Sequence, residues 1–182
     1  DVCSSDLRQD VTVRLRQRGA DVHVAGLAAA PEGSHADLRL EIRHEAPGAT
    51  SSQLWRGLHA AGSRGVVTGL VHVPEQSQET RSTQDLRALM LAPGASALCQ
   101  PQLEILADDV SCTHGATVGQ LSAEALFYLM ARGVAEREAR AMLAGAFVEP
   151  VLAGLPASVA ASVRQDLARA GLADGGVPEA GA

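Results

Sequence analysis

Short apolar runs dominate the first two thirds of the chain, and most of them alternate with polar residues. Val11-Thr12-Val13-Arg14-Leu15-Arg16 alternates until Gly19 stops it, and Val22-His23-Val24 repeats the pattern with His23 on the solvent side. After His35, Leu38, Leu40 and Ile42 alternate with Arg39, Glu41 and Arg43, so an apolar face turns inward and a charged face outward. Further strand-like runs are Ser51 to Arg56, Val66-Val67, Leu70 to Val73, Leu86 to Leu91 and Leu98 to Gln100, with Gly62, Gly65, Gly69 and Pro93-Gly94 between them. Glu75 to Gln84, EQSQETRSTQ, lacks any apolar rhythm and predicts a solvated loop or an irregular corner. His35, His44 and Glu45 at strand ends read as hydrated turn groups rather than a metal cluster. No helix is predicted between Arg8 and Gly119. Two architectures fit, a β-sandwich and a parallel solenoid of stacked coils, and the uneven spacing does not separate them.

The period changes at Ser122. Ser122 is a good N-cap, Leu121 and Leu126 can form a staple across it, and Gly133 suits the left-handed residue after a helix. Leu126, Leu129 and Met130 predict its buried stripe. A second helix is expected from about Ala135, with Ala139, Met142, Leu143, Ala146 and Phe147 at helical spacing, kinked or ended by Pro150. Pro156 opens a third, with Val159, Val163 and Leu167 on one face and Gly171 as its stop. The expected organisation is a strand-rich unit over residues 8–120, a helical unit over 121–171 and a disordered tail over 172–182.

Composition narrows the function classes. The chain has 182 residues and a net charge of -6, which argues against a nucleic-acid partner. All 15 basic residues are Arg. No run approaches the roughly 18 apolar residues of a membrane span. Three Cys at spacings unlike a disulfide framework favour a reducing cytoplasm. With only Trp55, Phe127, Tyr128 and Phe147 as aromatics, the core must be aliphatic, which suits a narrow interior. The first seven residues, DVCSSDL, resemble a translated sequencing adapter. Native sequence is therefore expected to resume near Arg8, with an N-terminal part missing and Cys3 excluded as a ligand.

The chemistry concentrates between Pro101 and Leu121. Leu103 and Ile105 share one face, Asp108-Asp109 marks a turn, and a second alternation puts Cys112 and His114 on one face, roughly 7 Å apart along the strand. A thiolate and an imidazole on one face suit iron or zinc, whereas the plainer reading is a buried Cys beside a hydrogen-bonded His. The longer stretch PQLEILADDVSCTHGATVGQLSAEALFYLMARGVAEREARAML resembles the C-terminal signature of the SufB/SufD family of the SUF iron–sulfur cluster assembly system. CTHGATVG resembles its SufD branch; the SufB branch is expected to carry Glu where Gly115 stands. Gln100 departs from the Lys typical of the family.

The resemblance implies a right-handed parallel β-helix followed by a small α-helical domain. It also implies a non-catalytic scaffold that pairs with a SufB-like subunit through the β-helix and binds the SufC-like ABC ATPase through its helices. His114, with Cys112 second, is then the candidate ligand for iron or a nascent iron–sulfur cluster shared with SufB. His114 and Gly115 are the candidate contacts to that subunit, and Glu136 and Arg140 the candidate contacts to the ATPase. No phosphate-cradling loop, nucleophile elbow or CxxC is present. The competing class is a carbohydrate-active or ligand-binding β-helix using Glu41, Glu45 or Asp109. One Trp and one Tyr are few platforms for sugars.

Overall fold

The structure is a computed structural model that describes residues 6–172. Cys3 and the tail over 173–182 lie outside the described residues. Eight strands come first: β1 (Asp6–Leu15), β2 (Asp21–Ala30), β3 (His35–His44), β4 (Thr50–His59), β5 (Arg64–Val73), β6 (Thr80–Met90), β7 (Ser96–Ile105) and β8 (Val110–Gln120). Three helices follow: α1 (Ala123–Met130), α2 (Glu136–Leu152) and α3 (Ala157–Arg169). Alternate strands pair in parallel, β1-β3-β5-β7 in one sheet and β2-β4-β6-β8 in the other. Asp6 lies beside His35 and Arg64 beside Ser96, so one coil consumes 29 to 32 residues. This pairing selects the solenoid over the sandwich: the chain winds four coils of a parallel β-solenoid and ends in helices.

The corners stack as the strands do. Gly19, Gly48 and Glu79 take left-handed backbone in one row, and Gly33, Gly62 and Gly94 in the other. Glycine enters that region without a Cβ penalty, so it is the default corner residue. In the first row every corner amide reaches the next coil: Gly19 N–H donates to the Pro47 carbonyl at 3.3 Å, Gly48 N–H to the Gln78 carbonyl at 2.8 Å and Glu79 N–H to the Asp109 carbonyl at 2.7 Å.

The interior is narrow, so a large side chain fits only opposite an absent one. Leu38, Leu40, Ile42, Val67, Val71, Val73 and Leu86 form its aliphatic part. A Cβ on Gly26 would overlap the Trp55 ring, and one on Gly65 would overlap the buried His59 ring, which also lies 2.7 Å from a Cβ built on Gly57. Polar residues stack as well. His44 Nε2 and Ser51 Oγ are 2.9 Å apart, Ser51 Oγ and Ser82 Oγ are 2.9 Å apart, and Ser77 Oγ–H donates to the His44 carbonyl at 2.6 Å. Gln84 Nε2–H donates to Gln53 Oε1 at 3.2 Å.

These ladders correct two expectations. The presumed loop over 75–84 is half strand, because Thr80, Ser82 and Gln84 are buried on β6, where the two hydroxyls and the Gln84 amide nitrogen bond to polar neighbours rather than to water. His44 is not a hydrated turn group but is wholly buried. His35 is exposed beside Asp6, and Glu45 pairs with Arg14 and Arg16.

The helices do not stand apart from the solenoid. Leu58, Ala60, Leu89 and Leu91 form one core with Ala144, Val148, Leu152, Ala160, Leu167 and Leu172. Ser122 caps α1 by accepting from Ala125 N–H at 3.2 Å, and Gly133 follows it in left-handed backbone. The stripe expected on α1 is not buried: Leu126 and Leu129 are half-buried and Met130 is exposed. Helix α2 runs through Pro150 to Leu152 and buries Ala139, Ala144, Val148, Val151 and Leu152, leaving Met142 exposed. On α3, Ala160 and Leu167 are buried and Val159 is exposed. Gly171 turns in left-handed backbone, and Leu172, expected to begin the tail, is fully buried instead. Among the described residues, no helix is long and apolar enough to cross a membrane.

Two predictions follow from this interior. Gly65→Ala forces the His59 ring to move and is expected to cost about 3 kcal/mol in chemical denaturation, whereas Gly119→Ala, with open space at its Cβ, is expected to be tolerated. Burial pushes the His44 imidazole down to about 4, so the fold holds it neutral. Stability contributed this way is intact above the ordinary imidazole value and declines as pH falls from there towards about 4, because only the unfolded chain takes up the proton. Between pH 7 and pH 5 the loss is expected to be about 2 kcal/mol, and His44→Gln should flatten that slope in urea titrations. Burial lowers His59 as well, so a shallower slope remains in the variant.

Candidate functional site

Strand β8 closes its sheet, pairing along one edge with β6. Register sets which residues it presents. Cys112 lies beside Ser82, His114 beside Gln84 and Ala116 beside Leu86, and all three β6 partners are buried. Cys112 and His114 therefore sit on the inward-facing side of the last rung, as the alternation predicts. No further described coil covers that rung, so His114 is exposed although its stacked neighbour Gln84 is not.

The two candidate ligands have different surroundings. Cys112 is half-buried and packs against Val71, Val73, Ala107 and their aliphatic neighbours. Burial pushes its thiol above the usual range, and a backbone hydrogen bond from Ser82 offsets this only in part. The thiol is thus protonated near neutral pH, and a metal must displace that proton to bind. Cys99, also half-buried, packs against the aliphatic interior, and burial raises its thiol too.

Gly115 points the other way and lies beside Asp85. Its backbone is outside the left-handed region, and a Cβ built there would meet only the Gln84 carbonyl, at 4.0 Å. Nothing in this chain's own packing requires glycine at that position. Asp85 is held between Arg56 Nη2 at 2.8 Å and Arg87 Nε at 2.7 Å. Burial alone would raise its carboxyl, but the two guanidinium groups outweigh that and hold it below the ordinary range. Arg56 is buried, lies 5.7 Å from the Phe147 ring centroid, and so links this face to α2.

The other predicted positions belong to different elements. Glu136 and Arg140 form an i,i+4 pair at 3.1 Å on α2, and Arg140 Nη1–H also donates to the Leu91 carbonyl at 3.4 Å. Arg140 is therefore partly turned to the solenoid, whereas Glu136 is exposed. Sequence reasoning placed Met130 in a buried stripe and did not single out Phe127 or Tyr128, yet all three are exposed on α1, with the Arg132 guanidinium 3.5 Å from the Tyr128 ring centroid. It also missed the buried glutamines at 53 and 84, although the alternation Thr80, Ser82, Gln84 was available as a signal. Glu41 on β3 pairs with Arg43, Glu45 just after β3 is held by Arg14 and Arg16, and Asp109 sits at the corner before β8. Among the described residues, no three His, Cys, Asp or Glu side chains are grouped so as to hold a metal ion.

Comparison with known proteins places this arrangement in context. Residues 2–147 match the family model described as the SufBD core domain of the SUF system for FeS cluster assembly. The chain is 32% identical over 141 residues to the iron–sulfur cluster assembly protein SufD of Escherichia coli, covering 78% of this chain and 33% of that protein. It is 31% identical over 151 residues to SufB of Bacillus subtilis, covering 83% of this chain and 32% of that protein. It is 38% identical over 133 residues to a SufBD family protein of Synechocystis, covering 72% of this chain and 28% of that protein. The chain thus spans about a third or less of these relatives. A four-coil parallel solenoid, its CTHGATVG rung and a match over most of its length together make this chain a member of the SufB/SufD family of iron–sulfur cluster assembly proteins.

Proposed function

We propose that this chain is the SufD-like part of a cytoplasmic SUF assembly complex, a non-catalytic scaffold that presents His114 to a SufB-like subunit across the open β8 edge. The observation that carries this reading is the exposure of His114 on an inward-facing position of a strand that, among the described residues, pairs with a strand on one side only. Such an edge is a template for another strand, and pairing there would bring a second chain's side chains against His114. Gly115 supports the SufD-like assignment, since the SufB branch is expected to carry Glu at that position. Identity does not decide between the branches, because the two values differ by a single percentage point.

Iron, or a nascent cluster, is the cargo of this site. Neutral imidazole nitrogen and thiolate sulfur are both good iron ligands, and this chain supplies one exposed and one half-buried donor. Among the described residues no third donor is grouped with them, and in this reading the SufB-like partner and inorganic sulfide supply the remaining ligands. Energy would come from a SufC-like ABC ATPase. The apolar surface of α1 at Phe127, Tyr128 and Met130, with Glu136 at the start of α2, is the face we assign to it.

His114→Ala is expected to lower cluster yield severalfold in a reconstituted complex of this protein with SufB-like and SufC-like subunits, read by ultraviolet–visible absorbance and iron content, while the complex still co-elutes. Unchanged yield would refute the assignment. Phe127→Asp combined with Tyr128→Asp is expected to weaken ATPase capture at least tenfold in calorimetry without lowering cooperative unfolding, because exposed aromatics carry much of an interface's energy and little of this fold's. Undiminished capture would move the docking face elsewhere.

A further inference from the structure

Gln84 presents a buried oxygen with no partner. The residue is 3% exposed, its Nε2–H groups donate to Gln53 Oε1 at 3.2 Å and to the Gly69 carbonyl at 3.0 Å, and its Oε1 is left without a hydrogen bond. The orientation of the amide is determined by these contacts. Exchanging its oxygen and nitrogen would set an oxygen against both the Gly69 carbonyl and Gln53 Oε1, and Gln53 is itself oriented by donating from Nε2 to the Leu70 carbonyl at 3.5 Å. Space for the pair is made deliberately: a Cβ on Gly69 would stand 2.7 Å from Gln53 Oε1 and 3.1 Å from Gln84 Nε2.

Both partners of the Gln84 nitrogen lie on β4 and β5, away from β8. β8 flanks β6 on the side opposite β4, and the oxygen is the one polar atom of the Gln84 side chain still unpaired. The residue in register there is His114, on the same face, with strands about 4.8 Å apart. We propose that Gln84 is the positioning residue for His114: its oxygen accepts one ring N–H, fixes the tautomer, and leaves the second nitrogen directed out of the open rung. A metal-binding histidine commonly donates its other ring N–H to an oxygen in this way, which holds the ring and strengthens the ligand. The buried Gln53–Gln84 pair would then be the anchor of the exposed imidazole. This inference rests on the reading of His114 as an iron-presenting residue, but its test does not.

The experiment is nitrogen-detected NMR of the ring of His114 in the full chain labelled with 15N-histidine, near pH 8. The wild type is expected to show one dominant tautomer. Gln84→Met, which removes the oxygen and keeps the length of the side chain, should give a mixture of both. A wild-type ring already divided between tautomers would overturn the proposal, as would a folded Gln84→Met with an unchanged pattern. In the reconstituted complex, Gln84→Met is expected to reduce cluster yield by no more than the severalfold loss of His114→Ala, with no further effect in a His114→Ala background. The two readings fail separately. A tautomer controlled by Gln84 alongside a harmless His114→Ala would sink only the iron assignment. A harmful His114→Ala with a tautomer indifferent to Gln84 would sink only the positioning role.

Discussion

In-register stacking is the constraint on which the rest of this molecule depends. Each inward-facing side chain lies directly over its counterpart one coil away, about 4.8 Å distant, so its neighbours are decided by register and not by local sequence. Three kinds of ladder satisfy this. Aliphatic side chains stack on aliphatic ones and bury at roughly 2 kcal/mol each. Rings stand over glycines, as Trp55 does over Gly26. Hydroxyl, imidazole and amide groups stack where their donors and acceptors match, as in His44, Ser51 and Ser82. A mismatch costs more than a lost contact, because a buried donor or acceptor without a partner forfeits its hydration as well.

The outer face of the second sheet adds a different link. Arg56 is the buried charge there, and burying a guanidinium is unfavourable unless most of its donors are used. Here they are: it donates to the Trp55 carbonyl at 2.8 Å, to the Asp85 carboxylate and to the Asp85 carbonyl at 3.4 Å. The Phe147 ring covers its face from α2. Asp85 stands beside Gly115 on the next strand, so helix, third coil and last rung are joined through one charged group. Together with the apolar core shared by Leu58, Leu89, Val148 and Leu152, this makes the helices and the coils mechanically one body.

Much of the architecture was legible in the sequence. Alternation located β1, β3, β8 and the switch to helices, and the resemblance of the CTHGATVG stretch implied the solenoid. The coil period was present but concealed. Gly19, Gly33, Gly48, Gly62 and Gly94 recur at corners, yet Glu79 occupies a position where glycine would have completed the series. β6 was missed because Thr80, Ser82 and Gln84 are polar residues on a buried face, and a pattern rule that equates polarity with solvent has no means of knowing that Ser51 and Gln53 lie one coil below. His44 was misread for the same reason. The stripe on α1 failed differently: helical spacing identifies an apolar side but cannot say whether anything in the same chain covers it.

The terminal rung shows why a site arises where it does. In every inner coil the position that His114 occupies is closed above and below, and a chemically active side chain there would be sealed, as Gln84 is. At the last rung one of those neighbours is removed, so the same backbone geometry exposes the side chain while the coil beneath still supports it. Position and support are thereby separated. The residue that meets the outside belongs to β8, and the groups able to orient it belong to β6 and β4, where burial keeps them ordered. A loop carrying the same histidine would have to be held by its own contacts, at a greater entropic cost for each fixed torsion. The stacked coil provides that order in advance, so a residue on its final rung needs only one well-placed acceptor behind it to be presented in a single orientation.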